Sequence, residues 1–418
     1  MAVVRPFKAV RPRKELAEKV AAPPYDVLDS KEAREMAKDN PYSFLHINKP
    51  EIDLPEDVNL YDEAVYQKGK ENFEKFMKEG ILVQDDQPCF YIYKQVMGSH
   101  SQIGLVAAAS VEDYENDIIK KHELTREDKE NDRLKHIETL SAQTGPVFLT
   151  YPAKNTIDSM VEHFISNNEP EYDFVSEDKF ATVRHTFWVI KDADIIEALI
   201  QEFSQIPYLY VADGHHRSAA ATRYKQKRQK ENANHTGNEE YNFFLTVIFP
   251  HNQMQILDYN RVVKDLNGMS KEEFLKKLEE LFVIESNGNN AYKPVKAHEF
   301  GMYLDNTWYK LTAKEGVFNP NDPVDRLDVN ILQKNVLHPM LGIENPRKDK
   351  RIDFVGGIRG MSELEKRVNS GDWALAFSLF PTSIEDLMII ADAGLIMPPK
   401  STWFEPKLKS GVAIHLVD

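Results

Sequence analysis

The stretch that most constrains the fold is an apolar run that passes directly into a polar loop and then into small residues. The apolar run is Tyr208–Ala212, the loop is Asp213–Arg217 with the sequence DGHHR, and Ala219–Ala221 follow. A short apolar run predicts a buried strand, and the alanine-rich stretch predicts a helix that begins at about Arg217 or Ser218. The chain is therefore expected to place a polar loop between a strand and the N-terminus of a helix.

Strand-like and helix-like segments alternate along the whole sequence. Asn59–Glu79 has apolar residues at helical spacing, the runs CFYIYKQV and IGLVAAASV predict two paired strands, and NPYSFLHINKP predicts a turn followed by a strand. A new succession of helices and strands begins at about Leu266. This alternation predicts the α/β (α+β) class, with a first domain over residues 1–262 and a second α/β domain over residues 263–418.

The residue types of the DGHHR loop point to anion chemistry. A helix N-terminus presents backbone N–H groups and the positive end of the helix dipole, and both favour phosphate. Gly214 lets a ligand approach the backbone closely, and Arg217 can hold phosphate oxygens in a fork. His215 and His216 can donate hydrogen bonds or carry a proton, and Asp213 can hold a divalent cation or orient a histidine. The alternative is an ordinary helix start, with Asp213 as its cap and exposed histidines.

Composition excludes several classes of function. The 418 residues carry a formal net charge of −15, which disfavours binding to nucleic acid. A single cysteine, Cys89, permits neither a disulfide framework nor a paired-cysteine zinc site within one chain, and its apolar neighbours predict a buried strand residue. No apolar stretch has the length of a membrane span or of a signal peptide core, so we expect a cytoplasmic protein.

Several stretches together resemble a known family. They are RPFKAVRP, AAPPYDVL, NPYSFLHI, KKHELT, VADGHHRSAAA, LDYNRVV, DFVGGIRG and MPPKSTWFEPKLKSG. The chain resembles a full-length family of uncharacterised function with a ParB/sulfiredoxin-like core, and its DGHHR sequence is similar to the signature of free L-serine kinases. The resemblance implies that residues 1–262 are a ParB/sulfiredoxin-like catalytic domain with insertions, and that the C-terminal domain contributes to the site.

The resemblance also implies an activity. It predicts a kinase that phosphorylates free L-serine to O-phosphoserine with Mg²⁺ and with ATP, ADP or pyrophosphate as donor. Asp213 would hold the metal and act in catalysis with His216, while Gly214, His215 and Arg217 would bind the phosphoryl group. The acceptor is open among hydroxyl compounds, since threonine and homoserine carry the same group. The sequence is also compatible with a homo-oligomer.

A second group of charged residues is Lys120-Lys121-His122-Glu123. The resemblance to serine kinases assigns Glu123 the role of general base, because a serine hydroxyl is a poor nucleophile until a base removes its proton. Lys120 and Lys121 would then neutralise phosphate charge on the donor. The alternative is a solvated, charged segment that is stabilised by ion pairs along a helix.

Three further segments are candidates for substrate binding. The turn that follows Pro23-Pro24 presents Tyr25 and Asp26, the glycine loop DFVGGIRG carries Arg359, and the C-terminal tail carries Trp403. A strand, a glycine loop and a helix in succession can form an anion site, but glycine turns also serve backbone geometry alone. An ordinary structural turn at Tyr25 and an ordered surface loop at Trp403 remain open alternatives.

The fold resemblance allows a function of another class, namely a ParB-like nucleotide-binding regulatory or DNA-associated protein without kinase activity. The net charge of −15 and the absence of a basic recognition helix from the sequence argue against binding to DNA. Sulfiredoxin chemistry is excluded, because that motif needs a cysteine in the loop and position 215 is His215. The kinase interpretation is therefore the leading hypothesis.

Overall fold

The computed structural model describes residues 1–177 and 181–418, which divide into two compact units. The first unit consists of Met1–Met254 and Pro406–Asp418, and the second unit consists of Gln255–Glu405. The division predicted from sequence, after residue 262, differs from this one in two ways. The strand Tyr259–Val263 pairs within the sheet of the second unit, and the C-terminal tail returns to pair with the first.

The first unit begins with a long series of strands and helices. Its strands up to residue 254 are β1 (Val4–Arg5), β2 (Val10–Pro12), β3 (Leu82–Gln84), β4 (Phe90–Met97), β5 (His100–Ser110), β6 (Ile119–Lys120), β7 (Ala142–Gln143), β8 (Val147–Tyr151), β9 (Tyr172–Glu177), β10 (Thr182–Ile190), β11 (Leu209–Asp213) and β12 (Phe243–Pro250). Its α-helices are α1 (Ala17–Val20), α2 (Ser30–Ala37), α3 (Leu45–Asn48), α4 (Glu63–Lys78), α5 (Val111–Glu115), α6 (Glu127–Leu140), α7 (Asn155–Asn167), α8 (Ala193–Phe203) and α9 (His215–Glu231).

A large mixed sheet organises this unit. Its strands lie in the order β6, β11, β8, β12, β5, β4, β10 and β9, and β1 pairs along β5. Two neighbouring pairs, β6 with β11 and β8 with β12, are parallel, whereas the other neighbours are antiparallel. Ile157 of α7 and Leu199 and Phe203 of α8 pack into the hydrophobic core of this sheet. The mixed α/β class predicted from sequence is thereby confirmed.

A second core of the first unit forms around the N-terminal helices. Phe44, Leu45 and Ile47 are fully buried in it, together with Phe73 of α4 and Ile414 of the tail. The strand predicted from NPYSFLHINKP is wrong, because Leu45–Asn48 forms the helix α3. An apolar run this short has no period that distinguishes a buried strand from a buried helical turn.

The helix that follows the DGHHR loop begins earlier than predicted. α9 starts at His215 rather than at about Arg217 or Ser218, so both histidines and the arginine lie in its first turn. Gly214 is the N-cap and has φ 101° and ψ 25°, and no side chain caps the helix. Asp213 is the last residue of β11 and is not the cap. A glycine is favoured at Gly214 because L-residues with side chains rarely adopt a positive φ.

The second unit is a smaller α/β body. Its strands are β13 (Ile256–Leu257), β14 (Tyr259–Val263), β15 (Phe282–Gly288), β16 (Glu299–Leu304), β17 (Thr307–Ala313), β18 (Ile352–Gly356), β19 (Leu375–Leu379) and β20 (Trp403–Phe404). Its helices are α10 (Lys271–Leu281), α11 (Asp328–Leu332), which a π-helical turn continues, α12 (Met361–Asn369) and α13 (Ile384–Asp392). The main sheet has the order β15, β17, β16, β19, β14 and β18.

The chain ends in the first unit with β21 (His415–Leu416), which pairs with β7. Further backbone pairing joins Val10 to Ile414 and Ala22 to Ser410. These contacts fix the tail against the N-terminal part of the chain. Among the described residues, no helix has both the length and the apolar character that a membrane crossing requires.

Candidate functional site

A parallel strand pair brings two distant sequence segments together. Ile119–Lys120 of β6 lies opposite Leu209–Tyr210 of β11, and the two strands run in the same direction. Because parallel strands end at the same edge of a sheet, the residues that follow both strands emerge side by side. His122 and Glu123 therefore lie beside the start of α9, where the DGHHR loop is.

Arg217 folds back against the loop that precedes its helix. A Cβ atom added to Gly214 would lie 3.1 Å from both Cζ and Nε of Arg217. The guanidinium also donates a hydrogen bond to the backbone carbonyl of Pro146. The start of α9 thus carries a largely buried guanidinium beside the backbone N–H groups of a helix N-terminus, an arrangement suited to phosphate.

Asp213 is held between two cations. Its Oδ2 atom lies 3.3 Å from Nζ of Lys407 and 4.0 Å from Nη2 of Arg217. Burial acts to raise the pKa of Asp213, but the charges of Lys407 and Arg217 outweigh burial and hold the pKa well below its ordinary value. Asp213 is therefore ionised at neutral pH. Lys407 was not predicted as a site residue, since only the return of the tail to the first unit brings it here.

Two buried imidazoles and a carboxylate form a compact cluster near Asp213. Ligand atoms of His122, Glu123 and His215 all lie within 4.8 Å of one another. The rings of His122 and His215 are perpendicular, with centroids 4.5 Å apart. Burial lowers the pKa of His122 to about 4 and also lowers the pKa of His215, so both rings are neutral at pH 7.

His122 is the member of the cluster to which sequence reasoning assigned no role. Its position directly before Glu123 was visible, but a lone histidine in a charged segment is an ordinary surface residue. The useful signal would have been a His-Glu pair after one strand together with a His-His pair after another. Only the register of β6 against β11 shows that the two pairs meet.

The other predicted residues of the two segments have clear contacts. The backbone N–H of Arg126 donates to Nε2 of His216 at 3.1 Å, so this ring atom ties the loop after β6 to α9. Nζ of Lys120 lies 4.2 Å from the centroid of the Tyr208 ring, and Nζ of Lys121 lies 4.4 Å from that of the Tyr114 ring. Both lysines therefore rest on aromatic faces, and phosphate binding by Lys120 and Lys121 stays a prediction.

The family assignment follows from the sequence itself. A family model described as "Protein of unknown function (DUF1015)" matches residues 4–330, which is more than half of the chain. The chain belongs to the DUF1015 family. No curated protein matches the sequence of this DUF1015 chain.

Solved structures resemble the DUF1015 chain at low sequence identity. A mutant free serine kinase in complex with AMP is 12% identical, with a TM-score of 0.37 over 78% of this chain and 92% of that chain. SbnI from Staphylococcus aureus with a C-terminal truncation is 11% identical, with a TM-score of 0.38 over 74% and 87%. A conserved hypothetical protein from Pyrococcus furiosus is 12% identical, with a TM-score of 0.35 over 72% and 93%.

A cavity of the DUF1015 chain opens next to Arg217. Tyr25, Asn48, Arg133, Thr144 and Arg217 are among the residues that line it. The guanidinium of Arg133 lies 3.8 Å from the centroid of the Tyr25 ring. Two guanidinium groups in one cavity favour a carboxylate or a phosphate.

Tyr25 keeps its proton in this cavity. Burial raises the pKa of the Tyr25 phenol, and the nearby charge of Asp26 raises it further. The protonated phenol can therefore donate a hydrogen bond to an anion in the cavity. Tyr25, which the sequence predicted as a substrate-binding residue, thus lines the same cavity as Arg217. Asp26 acts on the Tyr25 phenol through its charge.

Arg359 and Trp403 belong to the second unit of the DUF1015 chain. The glycines before Arg359 have a packing role there. A Cβ atom added to Gly356 would lie 2.8 Å from the Trp403 ring, and one added to Gly357 would lie 2.4 Å from a carboxylate oxygen of Asp258. The indole N–H of Trp403 donates to Glu405 at 2.7 Å. The glycine loop therefore serves close packing, and substrate binding by Arg359 and Trp403 stays a prediction.

Proposed function

We propose that this protein is a small-molecule kinase that transfers a phosphoryl group to the hydroxyl of free L-serine and forms O-phosphoserine. The observation that carries the proposal is the parallel pairing of β6 with β11. This pairing sets a carboxylate, Glu123, beside the start of α9, whose first turn holds Arg217, and near Asp213 at the end of β11. An anion-binding helix start with an adjacent base provides the two elements that phosphoryl transfer to an alcohol needs.

The donor phosphate would be bound at the start of α9. Backbone N–H groups of the first turn and the guanidinium of Arg217 would hold its oxygens, and Lys407 would add a second positive charge. Phosphoryl transfer depends mainly on positioning and on neutralising charge on the phosphate oxygens. A site with two cations and a helix dipole supports that chemistry without a P-loop.

Glu123 would activate the acceptor. As the serine oxygen forms its bond to phosphorus, the carboxylate takes the hydroxyl proton, and the bond between phosphorus and the donor oxygen breaks. The leaving group departs as the donor shortened by one phosphoryl group. Glu123 lies at the edge of the cluster and is only partly buried, so an acceptor can reach it.

The cavity beside Arg217 favours an amino acid as the acceptor. Arg133 can bind the carboxylate of free serine, and the Tyr25 phenol can donate to it, while Arg217 at the edge of the same cavity holds the donor phosphate. Serine itself, rather than another hydroxyl compound, is supported by the similarity of the DGHHR sequence to the signature of free L-serine kinases.

The residues present are compatible with the predicted Mg²⁺. Mg²⁺ in proteins is bound through one or two carboxylates together with substrate phosphates. Asp213 is ionised, so its carboxylate is the group that would hold a metal that arrives with the donor. When bound, Mg²⁺ would neutralise the phosphate oxygens of the donor.

The test is a direct assay of the purified full-length chain. The protein is incubated with L-serine and Mg²⁺ and with ATP, ADP or pyrophosphate in turn, and O-phosphoserine is measured by mass spectrometry. We expect product with at least one donor. A folded protein that forms no O-phosphoserine with any of the three would refute the serine kinase assignment. Parallel assays with L-threonine and L-homoserine establish the specificity for the acceptor.

A further inference from the structure

Two buried imidazole nitrogens of the first unit have no hydrogen-bond partner in the described part of the chain. They are Nδ1 of His122 and Nε2 of His215, and the two side chains are 2% and 4% exposed. Buried polar atoms of native proteins are almost always paired, so each such atom requires an explanation. Here both atoms belong to one cluster, whose third member is the carboxylate of Glu123.

The three side chains offer the donor atoms of a metal site. Their ligand atoms lie within 4.8 Å of one another, while two ligands of one tetrahedral Zn²⁺ ion, each at about 2.0–2.1 Å from the metal, lie about 3.4 Å apart. Side-chain rotations that bring the ligand atoms closer by at most about 1.4 Å would close the site. The carboxylate of Asp213 acts electrostatically on both imidazoles and adds negative charge near a bound cation.

We propose that His122, Glu123 and His215 bind one divalent transition-metal ion of the Zn²⁺ class, through Nδ1 of His122 and Nε2 of His215. Two imidazoles and one carboxylate suit Zn²⁺ and its first-row neighbours, whereas Mg²⁺ and Ca²⁺ prefer oxygen ligands alone. The site is therefore different in kind from the Mg²⁺ position at Asp213. It also does not depend on the proposed kinase activity, because it follows from the unpartnered nitrogens.

Three protein ligands leave one position of a tetrahedral metal open. Such open sites are typical of metals that bind a water molecule or a substrate oxygen, whereas structural zinc sites have four protein ligands. The open position would lie next to the first turn of α9, where an anion is expected. Glu123 has two oxygens, so it can contribute one to the metal and present the other to an acceptor.

The binding test uses metal-free full-length protein and Zn²⁺ or Co²⁺ alone, without serine or a phosphate donor. We expect one Zn²⁺ per chain by calorimetry and visible absorption bands from bound Co²⁺. His122→Gln and His215→Gln should each weaken Zn²⁺ binding by at least about tenfold, because each removes one ligand. His163→Gln, which changes an exposed histidine of α7, is the matched control and should bind like the wild type.

Stoichiometric Zn²⁺ binding that is unchanged in both variants would overturn the proposal, as would a wild-type protein that binds no Zn²⁺. If His122→Gln and His215→Gln do not fold, Zn²⁺ binding by the wild-type protein alone tests the proposal. Crystals soaked in Zn²⁺ should show an anomalous peak at about 2.0–2.1 Å from Nδ1 of His122 and Nε2 of His215. A water molecule between these atoms, without an anomalous signal, refutes the metal site. Since no turnover is measured, failure here is distinct from failure of the kinase assay.

Discussion

Replacing Gly214 with alanine should reduce both stability and activity, because two separate features require glycine at this position. Its φ of 101° lies in a region where a non-glycine residue costs about 1–3 kcal/mol. The new Cβ atom would also lie 3.1 Å from Cζ of Arg217, so the guanidinium must shift by a few tenths of an ångström. That shift weakens the hydrogen bond from Arg217 to the carbonyl of Pro146, and it lowers the free energy of unfolding by about 1 kcal/mol more.

Gly237→Ala provides a matched control. Gly237 has φ of 90°, but an added Cβ atom would meet nothing within 4 Å. Both variants thus introduce similar backbone strain, and only the change at Gly214 displaces Arg217. In urea unfolding, Gly214→Ala should lose about 1 kcal/mol more than Gly237→Ala. In the O-phosphoserine assay, only Gly214→Ala should lose activity, by about tenfold or more. Equal losses of stability and equal activities in the two variants would refute this reasoning.

Three further predictions concern single side chains. Arg217→Ala should lower kcat/KM at least about tenfold, or about 1.4 kcal/mol, whereas Lys230→Ala at the other end of α9 should leave it unchanged. Glu123→Gln should lower kcat with the circular dichroism spectrum unchanged; wild-type turnover would exclude it as the base. Burial raises the pKa of the Asp328 carboxyl group to about 7. The folded state therefore binds the carboxyl proton more tightly than the unfolded chain does. As pH rises from about 4 to 7, the folded state loses the stability that this proton provides. Asp328→Asn should therefore stabilise the protein at pH 8 by a few kcal/mol, about 4 at most, but not at pH 4; equal effects at both pH values would contradict this.

Local sequence patterns were sufficient for much of the fold. The apolar run before DGHHR predicted β11, and the period of apolar residues in Asn59–Glu79 predicted α4. The helix after DGHHR was predicted two or three residues too late, because histidines are weak helix formers and no side chain marks the cap at Gly214. In α3, burial in the surrounding core decided the structure where the sequence had no period.

The candidate site was predicted only where its residues are neighbours in sequence. The DGHHR loop and Glu123 were both predicted as candidates, but their proximity depends on the parallel pairing of β6 with β11. Lys407 and His122 were missed for the same reason. Lys407 reaches Asp213 only because the tail returns to the first unit, and His122 meets His215 across the sheet edge. Such contacts are set by tertiary structure, which periodicity and residue type do not encode.

A crystal structure of the full-length protein with pyrophosphate tests the central claim, which is that the start of α9 binds the transferred phosphate. We predict an anion at the first turn of α9, in contact with the guanidinium of Arg217 and within reach of Lys407. Pyrophosphate that is ordered at another place in the protein, with none at this helix start, would contradict that claim.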